Sequence, residues 1–91
     1  MPNTIRCAHI LVKTQQEALS LLERIKKGED FGKLAQEFSL DGSRRRDGDL
    51  GSFGRGRMVK PFENAAFSLQ VGQVSEPVKS EFGWHLIKRL G

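Results

Sequence analysis

The two histidines of the chain, His9 and His85, are the residues whose type and setting point most directly to chemistry. Each lies inside an apolar run with the composition of a strand, residues 5–12 and residues 82–87. Imidazole nitrogens in the interior of a sheet need hydrogen-bond partners. If the two runs pair in one sheet, we expect the rings to hydrogen-bond as a neutral, tautomer-coupled pair. Such a pair is either a local structural device or the centre of an active site.

Three segments have the apolar spacing of helices that lie on one face of a sheet. Residues 18–25, 31–38 and 62–69 each repeat apolar side chains at i, i+3, i+4 and i+7. The signals for their first turns are a capping box from Thr14 to Glu17, an N-cap at Asp30, and Pro61. Gly28 and Gly72 mark where the first and third helices stop.

The remaining apolar segments predict the sheet. Residues 4–12 and 82–90 carry apolar side chains at both parities, which is typical of central strands covered on both faces. Weaker strands are expected at residues 50–54 and 73–77, the latter at an edge because it contains a proline. The order of elements predicts an α+β fold, in which segregated helices pack on an antiparallel sheet.

Length and composition set the class of protein. Ninety-one residues predict a single domain over residues 1–91. One cysteine, Cys7, excludes an internal disulfide and favours a reducing compartment. No apolar stretch approaches the roughly 20 residues of a membrane span, and the first residues show no signal-peptide pattern. We therefore expect a soluble, cytoplasmic monomer.

The net charge of +4 is confined to the second half of the chain. Residues 1–43 hold six basic and six acidic side chains, whereas residues 44–91 hold nine basic and five acidic ones. A solvated surface is the ordinary interpretation, and attraction of anionic partners is the alternative. Aromatic residues do not interleave the basic ones, so specific nucleic-acid binding is not expected. The glycines of residues 39–58 match no nucleotide-binding motif, although so long a connection is usually functional.

Four motifs in one order carry a resemblance to a known family. Residues 9–12 read HILV, residues 48–67 read GDLG-x-F-x-x-G-x-MV-x-PF-x-x-AAF, residues 72–78 read G-x-VS-x-PV, and residues 82–87 read FGWHLI. Together they strongly resemble the parvulin family of peptidyl-prolyl cis/trans isomerases, over about residues 5–90. The resemblance implies a parvulin/FKBP-like fold, with four antiparallel strands wrapped by about four helices. It also implies catalysed rotation about the peptide bond that precedes proline, with no cofactor and no metal.

The resemblance also assigns residues to a site. The paired histidines of the family fall on His9 and His85, its cysteine-or-aspartate position on Asp41, and its supporting hydroxyl on Ser80. The apolar pocket that holds the proline ring falls on Leu50, Met58, Val59, Phe62 and Phe82. Because Asp41 is not a cysteine, a nucleophilic role for that position fails.

Each assignment has a structural alternative. The histidines could serve only to shape the sheet, Met58 and Phe62 could belong to the core, and Asp41 before Gly42 is also a turn signal. A metal site at Cys7, His9, His85 and Asp41 matches no recognised zinc spacing. A Cys7–His9 thiol dyad is weaker still, since alternate strand residues lie about 6–7 Å apart.

Substrate choice and overall role leave further alternatives. The basic insertion that follows the first strand in phosphate-selective parvulins is missing, because Lys13 leads directly into the first helix. Arg44, Arg45 and Arg46 supply positive charge elsewhere, which predicts a weak preference for acidic substrates. A folding helper that isomerises X-Pro bonds in unfolded or flexible segments is the main interpretation. A non-catalytic module that binds proline-containing segments, or an adaptor for anionic or membrane surfaces, are the alternatives.

Overall fold

A computed structural model describes residues 3–91 as one four-stranded antiparallel sheet with helices on both of its faces. The strands lie in the order β2-β1-β4-β3, so the first and last strands of the chain form the middle of the sheet. This confirms the predicted α+β class. The elements are β1 (Thr4–Val12), α1 (Gln15–Lys26), α2 (Phe31–Phe38), a 3-10 helix (Gly42–Arg46), β2 (Asp49–Gly54), α3 (Lys60–Ser68), β3 (Val78–Ser80) and β4 (Gly83–Arg89).

The helices begin where their capping residues predict. The Thr14 side chain accepts the backbone N–H of Glu17 as the N-cap of α1, and its hydroxyl donates to the Glu17 carboxylate. The Asp30 carboxylate accepts the backbone N–H of Lys33 at the start of α2. Helix α3 has no side-chain cap and starts instead with Pro61 in its first turn, where a missing N–H costs nothing.

The two central strands separate two hydrophobic clusters. Even-numbered residues of β1, from Ala8 to Val12, pack with Leu86 against α1 and α2. Odd-numbered residues of β1, Ile5 and Cys7, pack with Ile87 and Phe53 against α3. Side chains alternate across a strand, so both faces of β1 and β4 are covered. This is the reason that apolar residues occupy both parities in these two strands.

Strand β3 differs from its sequence-based prediction. Residues 73–77 were expected to form it, but it runs from Val78 to Ser80 instead, and Val74 makes only an isolated bridge to Lys88. Pro77 has no N–H and restricts the residue before it, so regular pairing starts only after it. Between the two points, the Ser75 hydroxyl accepts the backbone N–H of Ile87 in place of a strand carbonyl.

Two glycines allow loops to approach β1 closely. Gly48 (φ +83°) accepts the backbone N–H of His9 through its carbonyl, and any Cβ at this position would collide with the His9 carbonyl. Gly83 (φ +140°) is packed as tightly against the carbonyl of Val12. Both positions combine positive φ with backbone contact, which only glycine tolerates. Their contacts hold the starts of β2 and β4 against β1, close to the two histidines.

None of the helices within residues 3–91 combines the length and the apolar composition needed to cross a membrane.

Candidate active site

His9 and His85 form the predicted pair. In the antiparallel register His9 lies opposite Ile87, and His85 lies opposite Leu11, so the two rings are diagonal neighbours on one face of the sheet. Their Nδ1 atoms are 3.0 Å apart. The ring centroids are 5.2 Å apart and the planes differ by 17°, so the rings meet edge to edge. Both are almost fully buried, and the Phe62 ring packs at right angles to each.

A polar group lies at each outer end of the pair. The Ser80 hydroxyl is 2.6 Å from His85 Nε2 and accepts the backbone N–H of Phe82. The Asp41 carboxylate lies 3.2 Å from His9 Nε2, too poorly aligned for a linear hydrogen bond and therefore an electrostatic contact. Four side chains thus form a continuous row from Ser80 to Asp41.

The charge of Asp41 sets the direction of the protons along this row. A carboxylate only accepts, so His9 carries its proton on Nε2, which leaves its Nδ1 as an acceptor. His85 must then donate from Nδ1, and its Nε2 accepts the proton of the Ser80 hydroxyl. The opposite arrangement would place a ring lone pair against the carboxylate. Both rings are therefore neutral, with fixed tautomers.

Burial keeps the two rings neutral. Desolvation lowers the pKa of His85 to about 4, with a further contribution from His9 and partial opposition from Asp41. Desolvation also lowers the pKa of His9, and the neighbouring Asp41 partly offsets it. Partial burial opposes ionisation of Asp41, but hydrogen bonds from Ser43 and the nearby His9 ring outweigh it and lower the pKa of Asp41 to about 2. At neutral pH the row carries one negative charge, at Asp41.

A cavity of about 330 Å³ opens onto the row. Most of its wall is apolar, which is typical of small-ligand sites with a few polar groups at fixed positions. Phe62 forms its buried floor, and Met58 and Val59 come from the loop that precedes α3. The full lining is His9, Leu11, Asp41, Leu50, Arg57, Met58, Val59, Phe62, Phe82 and His85.

Local backbone structure places Asp41 at this cavity. Its carboxylate caps the 3-10 helix by accepting the backbone N–H of Ser43. The neighbouring Ser39 side chain accepts the backbone N–H groups of Leu11 and Asp41, and the Leu40 N–H donates to the Leu11 carbonyl. The same Asp41 carboxylate therefore caps the turn that the sequence predicted and faces His9.

Comparisons with known proteins agree with this geometry. Residues 9–90 match the family described as "Rotamase: PPIC-type PPIASE domain". The chain is 62% identical to the parvulin of Nitrosopumilus maritimus, covering 100% of this chain and 99% of that one, with a TM-score of 0.90. It is 71% identical to Pin from Cenarchaeum symbiosum, covering 100% and 95% of the two chains, with a TM-score of 0.88. The chain belongs to the parvulin family of peptidyl-prolyl isomerases.

A longer protein also contains a region similar to this chain. The foldase protein PrsA of Geobacillus sp. (strain WCH70) is 55% identical over 85 residues, which are 92% of this chain and 31% of PrsA. The chain thus spans about a third of the length of this curated relative. Residues 3–91 contain three α-helices and one 3-10 helix, compared with the roughly four helices that the resemblance to parvulins implied.

The structure brings together most of the residues that the parvulin motifs assigned. Eight of them line the cavity, and Ser80 contacts His85 from behind it. Their individual roles stay predictions. Arg44, Arg45 and Arg46 lie on the exposed 3-10 helix, and none of them lines the cavity.

Two cavity residues, Leu11 and Arg57, were not among the assigned ones. Leu11 was detectable from its sequence position, because it lies two residues after His9 on a strand and so shares its face. Arg57 had no such signal, since it lies in an irregular loop. Among residues 3–91, no group of three or more His, Cys, Asp or Glu side chains is close enough to hold a metal ion.

Proposed function

We propose that this protein accelerates cis/trans isomerisation of X-Pro peptide bonds in unfolded or flexible polypeptides. The observation that carries the proposal is an apolar cavity beside two buried, neutral histidines that hydrogen-bond to each other, with Ser80 bonded to His85. Membership of the parvulin family supports it. The substrates are proline-containing chains, and the reaction needs no cofactor.

The reaction sets two requirements that this cavity meets. Its barrier of roughly 18–20 kcal/mol comes from amide resonance, which is lost when the bond twists. An apolar wall of Leu50, Met58 and Phe62 holds the pyrrolidine ring and withdraws the amide from water. The twisted amide is less charge-separated than the planar one, so removal from water favours the transition state over the ground state.

The histidine row meets the second requirement, a fixed electrostatic environment at the twisting bond. Dipoles that are already oriented need not reorganise during the reaction. The hydrogen bonds from Ser80 to His85 and from His85 to His9 hold both rings in one tautomer, with Asp41 as the fixed charge at the end. No proton has to leave the substrate, and neither ring has to change its charge.

Panels of short X-Pro peptides test the activity. Two-dimensional NMR exchange spectra of unphosphorylated peptides should show cis/trans cross-peaks that are much stronger with the protein than in buffer. Peptide binding without faster exchange would instead identify a non-catalytic module that holds proline-containing segments. Met58→Ala should weaken peptide binding, and Val71→Ala, on a surface residue, is the matched control.

We propose that the enzyme is independent of substrate phosphorylation. Lys13 is followed at once by the cap of α1, so no basic loop follows β1. The three arginines of the 3-10 helix are exposed, and salt screens exposed charges. The ratio of kcat/KM for phospho-Ser-Pro and Ser-Pro peptides should stay below about a hundredfold, near 2.7 kcal/mol. A larger ratio that disappears when Arg44, Arg45 and Arg46 are all replaced by glutamine would identify a phosphate site there.

We also propose a cytoplasmic monomer with weak attraction to anionic surfaces. The fully buried, unpaired Cys7 thiol is suited to a reducing compartment, and the excess of basic residues supports the attraction. Sedimentation equilibrium tests the monomer, and a fluorescent fusion in cells tests the compartment. Retention on anionic vesicles that does not weaken between 50 and 200 mM salt would contradict a purely electrostatic attraction.

A further inference from the structure

Arg57 differs from the other basic side chains near the cavity in having no partner. The loop between β2 and α3, residues 55–59, is followed directly by Lys60, so that three cations lie within six residues. Arg55 Nη1 is 3.2 Å and Lys60 Nζ is 3.7 Å from the Glu63 carboxylate. Within residues 3–91, Arg57 makes neither an ion pair nor a side-chain hydrogen bond.

The buried Glu63 carboxylate explains why Arg57 remains available. Glu63 is 1% exposed, yet it is ionised, because the backbone N–H of Gly56 donates to it at 2.5 Å and lowers its pKa despite burial. Its own backbone N–H donates to the carbonyl of Val59. Glu63 therefore ties both ends of the loop to α3 and takes up the two flanking cations.

Arg55 is held in a second way. Its guanidinium lies 4.4 Å from the centroid of the Phe67 ring of α3, which is a cation–π contact. Arg57, two residues later, faces the cavity instead and is exposed. The loop is thus anchored through Arg55 and Gly56 while it presents Arg57 to whatever occupies the cavity.

We infer that Arg57 determines substrate specificity by binding the carboxylate of an acidic residue next to the proline. The inference rests on the proposed isomerase function. Apart from Arg57, the only ionised side chain of the cavity lining is Asp41, and no ion pair joins the two. A guanidinium presents a planar fork of donors that matches a carboxylate. With the proline ring in the apolar pocket, a flanking residue lies within reach of the rim, where Arg57 stands.

The test compares five proteins on matched peptides. They are the wild type, Arg57→Gln, Arg57→Lys, Arg57→Glu and the control Lys26→Gln, which removes one positive charge from an exposed position on α1, against the other face of the sheet. The peptides carry alanine, glutamate or lysine immediately before or after proline. Both kcat/KM and the peptide dissociation constant are measured at low and high salt.

The expected result is a change in ratios between peptides. For one of the two glutamate positions, the wild type should prefer glutamate over alanine, and Arg57→Gln should lower that preference about two- to fivefold, as for exposed ion pairs. Arg57→Lys should retain part of the preference, Arg57→Glu should transfer it to lysine, and high salt should reduce it. Lys26→Gln should keep the wild-type ratio.

Two results would overturn the inference. One is an unchanged glutamate-to-alanine ratio in Arg57→Gln, and the other is an equal loss in Lys26→Gln, which would show a general effect of net charge. If no variant accelerates even the alanine peptides, the isomerase proposal fails. In that case the ratio of dissociation constants still decides the role of Arg57.

Discussion

The two faces of the central strands are built from alternate residues of the same segments, yet they differ in how completely helices cover them. Towards α1 and α2, residues Ala8, Ile10, Val12 and Leu86 are buried in an apolar cluster that two helices cover. Towards α3, the apolar packing around Cys7 and Ile87 stops at His9 and His85, and a cavity follows. One helix covers this face only in part.

This difference shows how a small domain keeps an open cavity without losing its core. The covered face can supply the larger share of hydrophobic stabilisation, because its cluster contains more buried apolar side chains. The partly open face can then expose Met58 and Leu50 to a ligand. Near the opening, Ser80, His85 and His9 hydrogen-bond to one another, and His9 Nε2 faces the Asp41 carboxylate. The following predictions test this division between the covered face and the open face.

Truncation should have the largest effect on the covered face. Leu86 is fully buried, so Leu86→Ala should lower the free energy of unfolding by about 2–5 kcal/mol. Met58→Ala, on the half-exposed wall of the cavity, should cost only about 1 kcal/mol but raise KM. Chemical denaturation and peptide kinetics on both variants check this. Equal losses of stability would contradict the division.

Loss of either histidine should affect both stability and rate. Removing one ring leaves a buried nitrogen of the other unpaired, which costs about 1–3 kcal/mol. His9→Ala and His85→Ala should therefore melt at a lower temperature and isomerise more slowly. If both variants keep the wild-type melting temperature, the two rings do not depend on each other.

Acidification should destabilise the protein because the two histidines of the open face resist protonation in the folded state. Folding lowers the pKa of His85 from 6.5 to about 4 and also lowers that of His9. As pH falls from about 6.5 to 4, the unfolded chain binds protons that the folded chain does not, so the free energy of unfolding decreases, by on the order of 2–3 kcal/mol. Below pH 3.8, protonation of Asp41 adds a further loss, because its folded pKa is about 2.

Denaturation curves at pH 7, 6, 5 and 4 measure this dependence. Leu86→Ala should lower the whole stability profile without changing its slope, since Leu86 does not titrate. His85→Phe should reduce the slope. A wild-type profile that is flat between pH 6.5 and 4 would show that the rings titrate normally in the folded state.

The smallest expected effect is on proton positions. Asp41→Asn removes the charge that places the His9 proton on Nε2, so the two tautomers of the row should come closer in energy. It should also lower the pKa of both rings further, since Asp41 raises both values in the wild type. Nitrogen-15 spectra of the imidazole rings report both changes. Identical tautomers in the two proteins would mean that Ser80, rather than Asp41, sets the direction.

Local signals in the sequence predicted most of the fold. The capping residues Thr14 and Asp30 act within their own first turns, so the helix starts needed no knowledge of the rest of the chain. The predicted strand at residues 73–77 was wrong for two reasons, the proline that it contains and a non-local contact. Its backbone partner on β4 is bonded by the Ser75 hydroxyl, and composition does not distinguish a side-chain acceptor from a strand carbonyl.

The site was predictable where it lies on regular elements and less so on its loops. Strand alternation is enough to place His9 and Leu11 on one face. The position of Arg57 depends on a hydrogen bond between Gly56 and a buried carboxylate seven residues later. A glutamate in the first turn of a helix usually faces solvent and favours the helix dipole. Nothing in the sequence therefore indicated that Glu63 is buried and holds the loop.

Because Cys7 is buried, the reactivity of its thiol reports conformational opening in the unmodified chain. The thiol is 0% exposed beneath α3, and desolvation raises its pKa to about 11 despite the nearby Arg89. It is also the only cysteine in the 91 residues. Alkylation must wait until the middle of the sheet is exposed, because a reagent needs both access and a thiolate. Timed labelling read by intact mass would thus count each molecule that has opened, with no engineered probe.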